Sequence, residues 1–262
     1  MSIVDFDFTG RTALITGSTG AIGKAIAKAM VERGGKVFIT DLKQEMVEET
    51  VAELGDAAAG LAADVCCEDS VKAAVAAAEE FFGGKLDILI NCAGIIGQAP
   101  IAEMEVDAWD QMVAVNGRGT FLFCKHCVPI IRRGESGKIV NFSSKTGKTG
   151  SALMAHYSFA KAGIMGLTQA LAYELAGDKI NVNCVCPGIT DDTGVWTQCS
   201  ADYIDNLGKS RDEVIAQFTA KIPLKRLASV WDVVSMCLFL SLPMSDYMTG
   251  QSINLTGGRE MH

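Results

Sequence analysis

No stretch of the 262-residue sequence is apolar for long enough to cross a bilayer. The longest apolar run near the C-terminus, Val233 to Leu242, is interrupted by Ser235 and Ser241. It falls far short of the roughly 20 residues that a spanning helix needs. The opening segment, MSIVDFDFTG, has neither a basic n-region nor an apolar h-region, which argues against a secretory signal. Basic charge is also in deficit: 23 Lys and Arg stand against 31 Asp and Glu, a formal net charge of −8. That balance argues against nucleic acid as the main partner. The cysteines number nine, which does not fit a disulfide scaffold and fits free thiols in a reducing cytoplasm. There is no internal repeat, and no Pro- or Ser-rich linker divides the chain. These absences leave a cytoplasmic globular protein of one domain over residues 1–262, with neither a membrane nor a nucleic-acid partner. Its 49% hydrophobic and 21% charged residues suit that class.

Short β-branched runs alternate with longer helical patterns. Thr12–Thr16, Val37–Thr40, a weak run near Gly60–Ala63, Leu86–Ile90, Lys138–Phe142, Lys179–Val185 and Ser252–Leu255 read as strands. Between them, Ala21–Arg33, Lys43–Leu54, Glu68–Phe82, one long segment Asp107–Ile131 and Tyr157–Leu175 read as helices. Such alternation predicts a doubly wound, Rossmann-type α/β fold, with about seven parallel strands and helices on both faces. The pattern loosens after Pro187, so residues at about 188–226 are expected to form a lid over a substrate site.

The first strand ends in Thr16-Gly-Ser-Thr-Gly-Ala-Ile-Gly23 and runs directly into a helix. Glycines at that junction let backbone N–H groups approach a pyrophosphate, which the helix N-terminus stabilises. Asp41 closes the second strand, about twenty residues further on, where a carboxylate accepts from both ribose hydroxyls of NAD and repels the 2′-phosphate of NADP. NAD is therefore the expected cofactor; the bland alternative is that Asp41 caps the following helix. Tyr157-Ser-Phe-Ala-Lys161 puts a phenol and an ammonium one helical turn apart on one face. To work as an acid/base near neutrality, a tyrosine must titrate roughly 2–3 pH units below its usual 10. A cation about 4 Å away at an effective dielectric of 20 is worth about 4 kcal/mol, enough in principle.

With these elements, the chain resembles the short-chain dehydrogenase/reductase family, in its shorter, single-domain branch. The resemblance runs through TGSTGAIG at 16–23, Asp64-Val65, Asn91-Cys-Ala-Gly94, Asn116, Ser143-Ser144, Tyr157 with Lys161, and Pro187-Gly188. It implies that Tyr157 is the general acid/base, that Lys161 tunes it and holds the nicotinamide ribose, and that Ser144 hydrogen-bonds the substrate oxygen. Asn116 would hold a water that relays protons from Lys161. Gly17, Ser18, Thr19, Ala21, Ile22, Asp41, Leu42, Asp64, Val65, Asn91, Ala93, Gly94, Tyr157, Lys161, Pro187, Gly188 and Ile189 would contact the NAD. Two departures stand out. Ala21 occupies the family's usual middle glycine, and the threonine expected five residues after Pro187 is displaced, Asp192 standing there and Thr193 following.

Gln98, Ser144, Thr146, Met154, Tyr157 and Trp196 are the candidate substrate contacts, and the resemblance implies a homotetramer. The expected reaction is reversible oxidation of a secondary alcohol to a ketone, with a sugar alcohol or small polyol as the preferred small-molecule substrate. Alternatives are a hydroxysteroid or other bulky alcohol, a 3-oxoacyl thioester, or a non-catalytic dinucleotide sensor, which the intact Asn116, Ser144, Tyr157 and Lys161 argue against. Lys145 and Lys148 either recognise an anionic group or are solvated loop lysines. Cys124 and Cys127 have CxxC spacing but no second ligand pair, so they are read as packing thiols and no metal is expected. Cys184 and Cys186 are expected on opposite sides of the sixth strand, with no disulfide between them, and His156 as a wall or helix-start residue.

Overall fold

The structure, a computed structural model, describes residues 6–194, 197 and 210–262. Its strands are β1 (Thr12–Thr16), β2 (Lys36–Thr40), β3 (Ala58–Gly60), β4 (Ile88–Asn91), β5 (Gly137–Phe142), β6 (Ile180–Pro187) and β7 (Ser252–Leu255). Together they form one sheet in the order β3-β2-β1-β4-β5-β6-β7, and every pairing is parallel. The order reverses between β1 and β4, which opens a crevice at the carboxyl ends of the strands.

Alternate residues of each strand serve opposite faces, as a period of two dictates. Ala13 and Ile15 of β1, Val37 and Ile39 of β2, and Ile88 and Ile90 of β4 share one core. That core also takes Ile26 and Met30 of α1 (Ala21–Val31), and Val233, Val234 and Cys237 of a helix near the C-terminus. The intervening Leu14, Phe38, Leu89 and Ile139 form a second core on the other face. There they meet α3 (Glu68–Phe81) and α5 (Gly119–Ile131). Strands buried on both faces explain the near-continuous apolar runs in the sequence. Between β2 and β3 lies α2 (Gln44–Leu54).

Three local readings need correction. The weak third strand lies at Ala58–Gly60, not Gly60–Ala63, because the edge is set where Gly60 passes Val47 and Ile39. A Cβ on Gly60 would come within 2.6 Å of Val47 Cγ1 and 2.7 Å of the Ile39 carbonyl oxygen. The long helix expected over Asp107–Ile131 is not uniform: α4 (Val106–Val113) passes through a π-helical turn at Ala114–Arg118 before α5 begins. Such a turn adds one residue to the helical register and is frequent at functional sites. Finally, Cys184 and Cys186 face the same side of β6, packed on Ile164, since two residues along a strand make one full period.

The remaining helices are α6 (Lys145–Thr149), α7 (Ala155–Leu175), α8 (Arg211–Ala220) and α9 (Val230–Leu240). Ser210 starts α8 through a capping box with Glu213. No helix among the described residues is long and apolar enough to cross a membrane. The eight cysteines among the described residues are all free thiols.

Candidate active site

The glycine-rich turn between β1 and α1 is held by close backbone contacts. Gly17 has φ +65°, and a Cβ there would lie 2.7 Å from Ala93 Cα. A Cβ on Gly23 would lie 2.4 Å from the Gly17 carbonyl oxygen, so these are the two positions that demand glycine. Ala21, the departure from the family pattern, begins α1 and lines the crevice without such a conflict. No side chain caps the N-terminus of α1, which leaves its first-turn N–H groups to an incoming anion. Asp41 secures the turn from β2: its Oδ2 accepts from the Thr19 N–H at 3.0 Å and from Thr19 Oγ1 at 2.7 Å. Its Oδ1 accepts from the Leu42 N–H at 2.8 Å. Asp41 therefore braces the turn and does not cap α2, whose N-cap position is Lys43.

At the other end of the crevice, α7 carries Tyr157 and Lys161, both buried, at 9% and 5% exposure. The Lys161 Nζ lies 5.6 Å from the Tyr157 ring centroid and donates to the Phe142 carbonyl at 2.9 Å. Burial pulls the Lys161 ammonium down to about 8. Ser143 and Ser144 divide their work. Ser143 Oγ donates to the Lys161 carbonyl at 2.7 Å, tying β5 to α7, whereas the Ser144 hydroxyl caps α6 and lines the crevice. A Cβ on Gly147 would lie 2.7 Å from the Lys161 carbonyl carbon, so α6 can lie directly against α7.

Asn116 sits at the centre of the π turn and is fully buried. Its Nδ2 donates to the Ile95 carbonyl at 3.0 Å and to the Met112 carbonyl at 3.1 Å, while its Oδ1 has no protein partner. A buried amide oxygen without a partner asks for a donor from outside the protein. Gly94 lies over it: a Cβ there would stand 2.6 Å from Asn116 Oδ1 and 3.3 Å from Lys161 Nζ.

All these groups border one cavity of about 670 Å³, within the usual range for ligand pockets, about 300–1,000 Å³. Of the residues singled out in the sequence, Gly17, Thr19, Ala21, Ile22, Asp41, Leu42, Asp64, Val65, Ala93, Gly94, Asn116, Ser144, Thr146, Met154, Tyr157, Lys161, Pro187, Gly188 and Ile189 line it. Ser18, Asn91 and Gln98 do not. Ser18 Oγ is turned to the Ile15 and Thr40 carbonyls, each at 3.1 Å. Asn91 Nδ2 donates to Asn141 Oδ1 at 2.9 Å inside the sheet. Both lie at strand ends where the side chain points into the fold. Trp196 lies outside the described residues. His156 is buried beside Gly97 and does not line the cavity; it is the second residue of α7, a helix-start position, and burial lowers its imidazole from the usual range.

The displaced threonine nevertheless reaches the cavity. Asp192 takes a left-handed φ of +56° and is exposed, while Thr193 is buried, lines the cavity and donates from Oγ1 to the Thr190 carbonyl. Lys148 does not line the cavity; its ammonium donates to the Ser252 carbonyl at 2.7 Å. Residues missed in the sequence include Ile95, Ile96 and Phe218 of the apolar wall, and Arg259. The apolar ones carried no signal beyond ordinary core composition.

A family model described as enoyl-(acyl carrier protein) reductase matches residues 17–260. A sorbitol dehydrogenase from Cereibacter sphaeroides is 37% identical over 254 residues, 96% of this chain and 98% of its own. The chain belongs to the short-chain dehydrogenase/reductase family. It is accordingly an oxidoreductase, and the family binds a nicotinamide dinucleotide. The crystal structure of a sorbitol-6-phosphate 2-dehydrogenase from Erwinia amylovora matches with a TM-score of 0.91 at 32% identity, covering 95% of this chain and 100% of that one. An actinorhodin polyketide ketoreductase variant crystallised with NADPH matches equally well, with a TM-score of 0.91 at 33% identity, covering 96% and 98%. The crevice suits such a group on three counts: the uncapped α1 N-terminus, the Asp41 carboxylate at the end of β2, and the unpartnered Asn116 Oδ1 near Lys161.

Proposed function

We propose that this protein is an NAD-dependent dehydrogenase that oxidises a secondary alcohol, of the sugar-alcohol or small-polyol class, to a ketone. The observation that carries the reading is the convergence of Ser144, Tyr157 and Lys161 on one cavity beside the glycine-rich turn. Bound there, the nicotinamide would accept the hydride from the carbinol carbon. Ser144 holds the substrate oxygen, the Lys161 ammonium favours the phenolate form of Tyr157, and that phenolate takes the substrate proton and becomes the neutral phenol as the hydride leaves. Asn116, with its open Oδ1, would hold a water that passes the proton on to solvent. Asp64, Val65, Ala93 and Gly94 would border the adenosine half, and Pro187, Gly188 and Ile189 the nicotinamide half.

The polyol class is supported by the relatives that bear polyol names. The polar residues Asp191, Asp192 and Gln98 give no support, because none of them lines the cavity. The apolar wall of Met154, Ile189 and Phe218 would pack against the carbon faces of the substrate chain. A homotetramer is part of the same reading, supported by exposed apolar groups on α4, α5 and α7: Val106, Phe121 and Phe159.

Turnover of a panel of polyols with NAD tests the reaction; tight NAD binding with no oxidation of any polyol, steroid or hydroxy acid would favour the sensor instead. Cofactor choice rests on Asp41. In Asp41→Ala the ratio of kcat/KM for NAD over NADP should narrow by about tenfold or more, the worth of one charged hydrogen bond. Affinity for both dinucleotides should weaken as well, because Thr19 loses its brace. An unchanged ratio would assign selection to another residue, with Lys43 the nearest cation lining the cavity.

A further inference from the structure

The cavity wall next to Ser144 is cationic in a protein whose net charge is −8. Lys145 follows Ser144 directly, and Arg259 reaches the same wall from the turn after β7. Both side chains are largely buried, at 14% and 20% exposure. Among the described residues one carboxylate accompanies them: Glu260 Oε1 lies 3.6 Å from Lys145 Nζ and 3.3 Å from Arg259 Nε. Glu260 does not line the cavity, so it backs the two cations while they face the interior. The carboxylates that line the cavity among the described residues, Asp41 and Asp64, follow β2 and β3 at the opposite end.

The two cations are held in place before any ligand arrives. The turn carrying Arg259 is closed by the Glu260 N–H donating to Thr256 Oγ1 at 3.2 Å and by Asn254 Nδ2 donating to the Glu260 carbonyl at 3.1 Å. The Arg259 guanidinium lies 5.8 Å from the Phe218 ring centroid on α8, and Phe218 lines the same cavity. Burial, and after it the Arg259 charge, lower the Lys145 ammonium from its ordinary range, with Lys221 adding to the repulsion and Glu260 opposing it. Two like charges drawn together over one carboxylate carry a cost that an incoming anion relieves.

We propose that Lys145 and Arg259 form an anion subsite, and that the alcohol oxidised here bears a phosphate or carboxylate away from its reacting carbon. This inference rests on the alcohol-oxidising reading above and adds the charge of the substrate to it. Guanidinium and ammonium together offer a bidentate fork and a point charge, a pair suited to either group.

The test compares a hexitol, its monophosphate and the matching aldonate as substrates of the enzyme with NAD. Wild type should favour one anionic substrate over the neutral one by at least about tenfold in kcat/KM, and the larger ratio identifies the anion. Arg259→Gln and Lys145→Gln should each reduce that ratio by about tenfold to a hundredfold, through KM. Arg259→Lys should recover part of it. A ratio near one in wild type, or one that neither Gln variant moves, would overturn the proposal. So would a rise in the KM for NAD as large as that for the anion, which would give the cations to the cofactor. Calorimetry with inorganic phosphate and the NAD complex needs no turnover: wild type should bind it and Arg259→Gln bind at least about tenfold more weakly. Absence of phosphate binding by wild type overturns the subsite, whereas phosphate binding without oxidation of any alcohol overturns only the reaction proposed earlier.

Discussion

Tyr157→Phe is expected to lower kcat by about two to four orders of magnitude, the usual worth of a positioned acid/base, while dinucleotide affinity changes little. The substitution removes one oxygen and keeps the ring, which packs against Met112, Met154 and Leu227 in a buried cluster. Lys161 keeps its bond to the Phe142 carbonyl, because that bond does not involve the phenol. Fold and cofactor site should therefore persist, and the deficit should appear in kcat and kcat/KM together, as for a group that acts in the transition state. Steady-state oxidation followed by nicotinamide absorbance, with dinucleotide binding measured alongside, decides the matter. A kcat within a few-fold of wild type would remove Tyr157 from the chemistry. A lost dinucleotide affinity would instead make it a structural residue.

Lys161→Met should be nearly as damaging at neutral pH and should also change how stability depends on pH. At 5.6 Å from the ring centroid, an ammonium is worth about 3 kcal/mol at an effective dielectric of 20. Its loss should lower kcat/KM near pH 7 by about two orders of magnitude. The pH at half-maximal oxidation rate should move upward. The stability effect follows from burial, which lowers Lys161 from 10.5 to about 8. Below pH 8 the lysine is protonated in both folded and unfolded chains, so the full cost of burying the charge is present. Between pH 8 and 10.5 the unfolded chain binds more protons, and wild type gains stability as pH rises. The methionine variant has no such group. Relative to it, wild type should gain about 3 kcal/mol across that window, read from urea unfolding of both proteins. A difference that stays flat with pH would show that Lys161 titrates normally and is not held in a low-dielectric site.

How much of the site was legible depended on how local each geometry is. Tyr157 and Lys161 are four residues apart on one helix, so their shared face follows from helical periodicity, and the structure places both at the cavity. The same holds for the turn from Gly17 to Gly23, where strand, glycines and helix are consecutive. Side-chain direction at strand ends was not legible. Ser18 and Asn91 stand inside motifs whose backbone runs beside the cavity, yet their side chains satisfy buried partners within the sheet. The π turn around Asn116 was also hidden, since α4 and α5 share one apolar pattern and the extra residue leaves little trace in periodicity. At Thr193, the sequence shows a displaced residue; in the structure it follows the left-handed Asp192 and lines the cavity.

From the amino-acid order alone come the doubly wound parallel sheet, the glycine turn and the tyrosine–lysine pair. Each depends on alternation, propensity or spacing within a few neighbouring residues. The tertiary structure decided what required distant segments to meet: Asn116 under Gly94, Phe218 against Arg259, and Arg259 beside Lys145. Those contacts bring together groups far apart in the chain, and no local periodicity records them. They exist because the crossovers of the sheet carry several loops to the same edge, at the carboxyl ends of the parallel strands.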